Sequence, residues 1–574
     1  MKTSLQIATE ARLEPIGAVA ERFGIPDRYV EWHGRYKAKI DLNILDESRH
    51  GPAGKYILVT AITPTPLGEG KTITTIGLSM ALNRLGKNAA AAIRQSSIGP
   101  ALGIKGGGAG GGYAQVVPLE ESILHLNGDF HAIAQAHNQI AALTDNSWYH
   151  GNLLDIDPDH IQIRRVLDIN DRFLRAITIG QGGQPNGAPR QAGFDIVAAS
   201  ELMAILALVG GRTDVEALKN LRARIGRMVV AFDRRGRPIT AEEIQAAGAA
   251  TVLMRETLKP NLMQTIENTP ALIHAGPFGN IAHGNSSILA DQIGLRLADY
   301  VVTEAGFGAD MGGEKFFDIK CRASDLWPAV AVVVATVRAL KSHTGKYKIT
   351  PGKPLPPELL AENPDDVDTG GANLRKQIAN VRRFGVPVVV ALNAFPTDRP
   401  SEVEAIRRIA HESGAVDMAV STVFAEGGQG GEELARIVIA AAEGAADAAP
   451  LPEFLYPLDL PIKEKIRIIA TEMYGAGEVS FSPLADEQIA VYEANGFGDL
   501  PICMAKTHLS LSHDPSLKGA PTGFTFPIRE VRASVGAGFI YPLAGAMMTM
   551  PGLGADPAAN HIDIDENGNT VGLF

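Results

Sequence analysis

Cysteine is almost missing from this chain. Its 574 residues include only Cys321 and Cys503, too few for a disulfide framework, and two core thiols suit a reducing cytoplasm. Long apolar runs are missing as well. The most apolar stretch, PAVAVVVATV, is about half the length that a membrane span needs and is followed by Arg338 and Lys341, so it reads as a buried strand. The opening residues, MKTSLQIATEARLEPIGAVAERFGI, scatter charges through a helical pattern and lack the unbroken apolar core of an export signal. No block of Lys and Arg stands out, and 64 acids against 53 bases give a net charge of -11, which argues against nucleic-acid partners. There is no CxxC, HExxH or G-x-S-x-G pattern, and no repeat of roughly 20 to 50 residues.

What is present is apolar substance and glycine. With 45% apolar residues the chain is expected to form roughly two to four domains. Seven apolar runs end abruptly in Gly, Asn, Thr or Pro and alternate with helical patterns: KYILVTAIT, NAAAAIRQ, TPALIHAGP, DYVVTEAGFG, PAVAVVVATVRA, VPVVVALNAFP and AVDMAVSTVFA. They read as parallel strands buried on both faces, so the fold class is α/β. Composition shifts at Ser342 to Gly371 and at Gly444 to Ile462, both rich in proline, mark boundaries. The expected units are a major domain at 1–365, a smaller α/β domain at 366–455 and a C-terminal α/β domain at 456–574. In open parallel sheets ligands gather outside the carboxyl ends of the strands, which directs attention to the residues that follow each run.

The first such loop reads TPTPLGEGKT, Thr63 to Thr72. It ends like a phosphate-binding loop, yet Thr65 stands where the first glycine of that motif belongs. A strand leads in and the helical pattern TTIGLSMALNRLG leads out, with Ile76, Met80 and Leu82 apolar and Gly86 placed to end the helix. Strand, glycine loop and helix are the context that phosphate binding requires. Backbone N–H groups from Gly68 to Lys71 would face the phosphates with the helix dipole behind them. Lys71 would add charge, and Thr72 a hydroxyl for Mg2+. Pro64 and Pro66 take over the stiffening of the loop's mouth. The next strand delivers Arg94 beside the loop.

Other features leave choices open. Glycines fill most of the stretch from Gly106 to Gly112, which also carries Lys105 and Tyr113 on its flanks; it is either a flexible linker or an ordered loop near a ligand. His125, His131 and His137 are six residues apart, a spacing that does not gather metal ligands on one helical face. Asp129 and His131 could serve as acid and base, or Asp129 could simply cap a helix. Asn393, Phe395, Pro396 and Asp398 end one strand, and Phe424 precedes another glycine loop; aromatics at such edges can stack on flat rings.

Taken together, TPTPLGEGKT, GIKGGGAGGGYAQVVP, GDFHAIAQAHN, GFDIVAASE, NLMQTIENTPALIHAGPFGNIAHGNSS, TEAGFGADMGGEKFFDIKCR, VVVATVRALK, LPICMAKT and GAGFIYPLAGAMMTMPGLG with the closing NTVGLF resemble the formate–tetrahydrofolate ligase family, in its order and over nearly the whole chain. The resemblance implies a P-loop NTPase-like major domain and the conversion of ATP, formate and tetrahydrofolate into 10-formyltetrahydrofolate, ADP and phosphate through formyl phosphate. It also implies Mg2+, activation by K+ or NH4+, and a homotetramer. By the family's pattern Lys71 and Arg94 hold the transferred phosphoryl group, and Thr65, Pro66, Leu67, Gly68, Glu69, Gly70, Lys71, Thr72, Phe307, Gly308 and Pro396 bind nucleotide, with Phe307 and Pro396 bracketing the adenine. Phe395 and Phe424 sandwich the folate rings.

The chain also departs from that pattern. RQSSIGP replaces REPSLGP, so Gln95 stands for a carboxylate that would meet the monovalent cation, and Ser96 for a proline. Phe424 replaces a tryptophan, Gly279 an alanine, IAHGNSS lacks the cysteine of IAHGCNS, and Thr507–His508 opens a segment unlike TQYSFS. Two other readings follow from these changes. One is a paralogue that activates a small carboxylate for a different acceptor; the other is a protein that binds nucleotide without catalysis, against which Lys71, Thr72 and Arg94 argue.

Overall fold

The computed structural model describes residues 2–46, 53–103, 108–350, 354–448, 453–545 and 547–573. Its frame is a 12-stranded sheet with a parallel centre of seven strands: β1 (Lys55–Ala61), β2 (Ala89–Ile93), β3 (Pro270–Ile273), β4 (Tyr300–Glu304), β5 (Val330–Ala335), β6 (Val388–Asn393) and β7 (Asp417–Ser421). They lie in the order β3-β2-β4-β1-β5-β6-β7, and each neighbouring pair is parallel. All seven coincide with the apolar runs expected as strands. β6 and β7 belong to the segment 366–455, yet they continue the sheet that begins in 1–365. Beyond β3 the sheet turns antiparallel, through Asn261–Thr265, Ala38–Ile40 and Val30–Trp32.

Side-chain alternation along the strands feeds two cores. Leu58, Val301, Ala331, Val333, Val388 and Val390 enter one apolar cluster, and Ile57, Val59, Val302, Val332, Val334 and Val389 the other. Both faces are therefore covered, and burial at roughly 25 cal/mol per Å2 of apolar surface is what holds the sheet between its helices. Helix α1 (Lys71–Arg84) lies on the second face through Leu78, Ala81 and Leu82, while its Ile76 and Met80 meet Ala91, Ile93 and Met263. It stops where expected. Gly86 has φ +78°; its N–H donates to the Asn83 carbonyl (2.9 Å) and that of Lys87 to the Leu82 carbonyl (3.1 Å), a Schellman closure that a residue with Cβ would strain.

Helix α2 (Asp129–Tyr149) and helix α3 (Pro364–Arg382) serve the first core, α3 through Val367, Leu374 and Ile378. The C-terminal segment forms a separate three-stranded sheet from Glu478–Phe481, Thr525–Ser534 and Phe539–Ala544, but its Phe526, Val531 and Ile540 join the same first core. A buried ion pair, Lys506 Nζ to Asp310 Oδ2 at 2.9 Å, ties this segment to the chain just after β4. Cys321 and Cys503 are both free and buried. Among the described residues no helix is long and apolar enough to cross a membrane.

Candidate active site

The loop after β1 is closed at its mouth by a side chain. Glu69 Oε1 accepts from the Thr65 N–H (2.7 Å) and the Thr65 hydroxyl (3.2 Å), and the Thr65 hydroxyl accepts from the Leu67 N–H at 3.3 Å. The residue that replaces the motif's first glycine thus pins the turn, through the bonds that its hydroxyl and backbone make with Glu69. Gly70 has φ +85°, and a Cβ there would lie 2.3 Å from Asn393 Nδ2, which itself donates to the Glu69 carbonyl at 3.1 Å. Only glycine fits both demands. Lys71 then begins α1, and its ammonium lies 3.9 Å from Glu69 Oε2.

The loop's approach is fixed from α3. The Asn373 side chain accepts from the Thr63 N–H (2.9 Å) and donates to the Thr63 hydroxyl (2.8 Å), and Gln377 donates to that hydroxyl at 3.1 Å. From the helix after β5, His343 Nε2 donates to the Thr63 carbonyl at 2.9 Å. This contact fixes the tautomer, and burial lowers the His343 pKa to about 4.

Thr72 and Arg94 meet through a residue that the motif reading passed over. The Thr72 hydroxyl donates to Glu304 Oε2 at 2.7 Å, and Arg94 Nη2 lies 3.8 Å from Glu304 Oε1. Glu304 is the last residue of β4, between β1 and β2 in the sheet. It is buried, as is Arg94 Nε, which has no hydrogen-bond partner in the protein, while Arg94 Nη1 donates to the Pro277 carbonyl at 3.1 Å. The signal for Glu304 was available: a single carboxylate ending the run DYVVTE at the edge where ligands gather.

Beside Arg94, Gln95 is buried and its Oε1 has no hydrogen-bond partner in the protein. The following serines are engaged. Ser96 Oγ accepts from the Gly108 N–H at 2.9 Å, and Ser97 Oγ donates to Asp168 Oδ1 at 2.5 Å. Asp168 also accepts from the Ile98 N–H at 3.0 Å, and burial raises its pKa.

A largely apolar cavity of about 670 Å3 adjoins the loop. It brings together Leu67, Gly68 and Gly70 with Phe395, Pro396 and Phe424, residues drawn from the ends of β1, β6 and β7. The end of the glycine run packs against Phe424. The Tyr113 N–H donates to the Phe424 carbonyl at 2.8 Å, and a Cβ on Gly112 (φ +58°) would fall 2.2 Å from that same carbonyl oxygen. Gly111 to Tyr113 are therefore an ordered seat for Phe424, and Lys105, Gly106 and Gly107 lie outside the described residues.

Phe307 lies outside this cavity, as does Gly308. Phe307 is one of few non-glycine residues with positive φ, at +64°. Its ring stacks on His508 with centroids 4.6 Å apart and planes 23° apart, and a Cβ on Gly279 would lie 3.0 Å from its Cδ2. Gly308 faces Asp310 and the Ile62 carbonyl. Asp129 is consumed by structure: it begins α2 behind Gly128, and its carboxylate is buried against Lys39 Nζ at 2.9 and 3.1 Å. His137 is buried too, its Nε2 donating to the Arg164 carbonyl at 3.0 Å, with a pKa lowered to about 4 by burial.

Comparison with known proteins finds one family over nearly the whole chain. The family model described as formate–tetrahydrofolate ligase matches residues 2–574. Proteins named formate–tetrahydrofolate ligase from Chloroflexus aurantiacus and Herpetosiphon aurantiacus are 70% identical over 575 residues and 68% identical over 574 residues, and each alignment covers 100% of both chains. A Roseiflexus relative of the same name is 59% identical over 573 residues, again with 100% coverage of both.

Proposed function

The chain belongs to the formate–tetrahydrofolate ligase family and is an ATP-dependent ligase that joins formate to tetrahydrofolate, and we propose that the Thr65–Thr72 loop, Arg94, Glu304 and the Phe395–Phe424 cavity carry that reaction. The observation that supports this most is the junction at Glu304, where the helix-capping end of the phosphate loop and the strand-end arginine share one carboxylate.

Formate is a poor acylating agent because its leaving group would be oxide. In the proposed mechanism a formate oxygen attacks the γ-phosphorus of ATP and the bond to the β-γ bridging oxygen breaks, leaving ADP and formyl phosphate. The tetrahydrofolate N10 lone pair then attacks the formyl carbon; phosphate departs with the carboxylate oxygen, and N10 gives up its proton. The protein's part is positioning and charge neutralisation. Lys71 and Arg94 face the oxygens of the transferred group, backbone N–H groups from Gly68 to Lys71 hold the phosphates, and Glu304 fixes the Thr72 hydroxyl and the Arg94 guanidinium. Thr72 Oγ1 and the Glu304 carboxylate are hard oxygen donors of the kind that Mg2+ takes; bound there, it would neutralise phosphate charge. Gln95 Oε1, buried without a partner, fits a K+ or NH4+ ion as a neutral ligand, so cation activation is weak in this reading.

The folate rings stack between Phe395 and Phe424, while Phe307 and Pro396 supply contacts to the adenine. The enzyme works as a homotetramer in the cytoplasm. Incubation of the purified protein with ATP, Mg2+, formate and tetrahydrofolate is expected to yield 10-formyltetrahydrofolate, and Lys71→Ala is expected to abolish it without lowering the melting temperature. Undiminished product from the variant would refute the site assignment.

A further inference from the structure

Arg338 belongs to none of the roles above, yet it lines the Phe395–Phe424 cavity. It lies one residue into the short helix Val337–Ser342 after β5, whose first turn is held by Thr336 Oγ1 accepting from the Ala339 N–H at 3.1 Å. β5 sits between β1 and β6, so Arg338 emerges between the phosphate loop and the Phe395 turn. Its guanidinium carbon lies 3.4 Å from the centroid of the Phe395 ring, well inside the ~6 Å range of cation–π contact. Arg338 Nε is buried and makes no hydrogen bond in the protein. Burial lowers the pKa of Arg338 while Asp398 and Glu69 oppose that shift. Asp398 is itself anchored, accepting from the Phe395 N–H at 2.9 Å.

A flat cation on one face of an aromatic ring does two things. It fixes the ring's tilt, and it draws electron density from the opposite face, which favours stacking of an electron-rich ring there. The amino-substituted rings of a reduced folate are of that kind. We propose that Arg338 is a positioning residue for tetrahydrofolate, the outer layer of a stack that runs guanidinium, Phe395, substrate ring. It acts through Phe395, and Asp398 and Glu69 keep its charge in place. The inference rests on the assignment of this cavity to folate.

The test is a double-mutant cycle in the full-length enzyme with Arg338→Met, Arg338→Lys, Phe395→Leu and the Met/Leu double variant, reading kcat and the KM for each of the three substrates. Arg338→Met is expected to raise the KM for tetrahydrofolate about fivefold and to leave the KM for ATP and formate within about twofold, while Arg338→Lys recovers part of the loss. The double variant is expected to match Phe395→Leu alone, because a residue that acts through Phe395 has nothing left to act on. A wild-type KM in Arg338→Met, multiplied losses in the double variant, or a parallel rise in the KM for ATP would each overturn the inference. A wild-type KM for tetrahydrofolate in Phe395→Leu would instead bring down the folate assignment of the cavity, and the inference with it.

Discussion

The hydroxyl of Thr72 donates to Glu304 across 2.7 Å, joining the start of α1 to the end of β4. The other Glu304 oxygen lies 3.8 Å from Arg94, so one carboxylate orients both the hydroxyl and the guanidinium to which the proposed mechanism assigns phosphoryl transfer. Glu304→Gln keeps the shape and removes the charge. Its kcat is expected to fall by about a hundredfold or more, as for loss of a preorganised electrostatic group, with ATP still bound and a higher Mg2+ concentration needed for half-maximal rate. A kcat within threefold of wild type would show that Glu304 is only a core residue.

The Phe307 ring stacks on His508 and lies close to the bare Cα of Gly279. Gly279→Ala would put a methyl about 3.0 Å from Phe307 Cδ2, and overpacking of this sort costs about 1–3 kcal/mol where neighbours cannot yield. The KM for ATP should rise severalfold while that for tetrahydrofolate stays put. Adding His508→Gln, which removes the stacked imidazole and gives the ring room to shift, should recover part of the loss. Equal effects on both substrates would remove Phe307 from the adenine contacts.

In the proposed cation site Gln95 would offer a neutral oxygen, its buried and unpartnered Oε1, where the family pattern has a carboxylate. Rates measured with and without K+ should therefore differ little in the wild-type enzyme and diverge several-fold in Gln95→Glu. Strong K+ activation of the wild type, unchanged by the substitution, would place the cation elsewhere.

His343 is buried neutral against the Thr63 carbonyl, with a pKa lowered from 6.5 to about 4. Between those values the unfolded chain takes up a proton that the folded one refuses, so this group makes stability fall as pH drops from 6.5 toward 4. His343→Gln removes that contribution. Its melting temperature should lie furthest below wild type near pH 7 and approach it at pH 5, and a constant gap across this range would contradict the linkage.

Legibility in the sequence followed physical cause. The seven central strands were readable because burial on both faces leaves continuous Val, Ala and Ile runs; the edge strands Val30–Trp32 and Ala38–Ile40, three residues each, have no such pattern. The positions of Lys71 and Thr72 after β1 and of Arg94 at the end of β2 were readable because a glycine loop and two apolar runs mark them. Asn373, Gln377 and His343 were not, since each reaches the loop from another element and only the fold brings them there, whereas Glu304 was marked by its place at the end of the run DYVVTE. Phe395 and Phe424 were picked out as strand-end aromatics, but that Arg338 lies on Phe395 depends on β5 and β6 being neighbours, which no local pattern states. Proline and acids crowd the seam between 1–365 and 366–455, and β6 pairs directly with β5 across it, a pairing that no local composition states.

The central claim is that formate attacks the γ-phosphate at the site formed by Lys71, Thr72, Arg94 and Glu304. It is tested most directly by running the reaction with formate labelled in both oxygens with a heavy isotope and analysing the released phosphate by mass spectrometry. The account predicts one labelled oxygen per phosphate in the wild-type enzyme, and neither product nor labelled phosphate in Lys71→Ala. Unlabelled phosphate formed alongside 10-formyltetrahydrofolate would mean that formate never bonds to phosphorus, and would contradict the account.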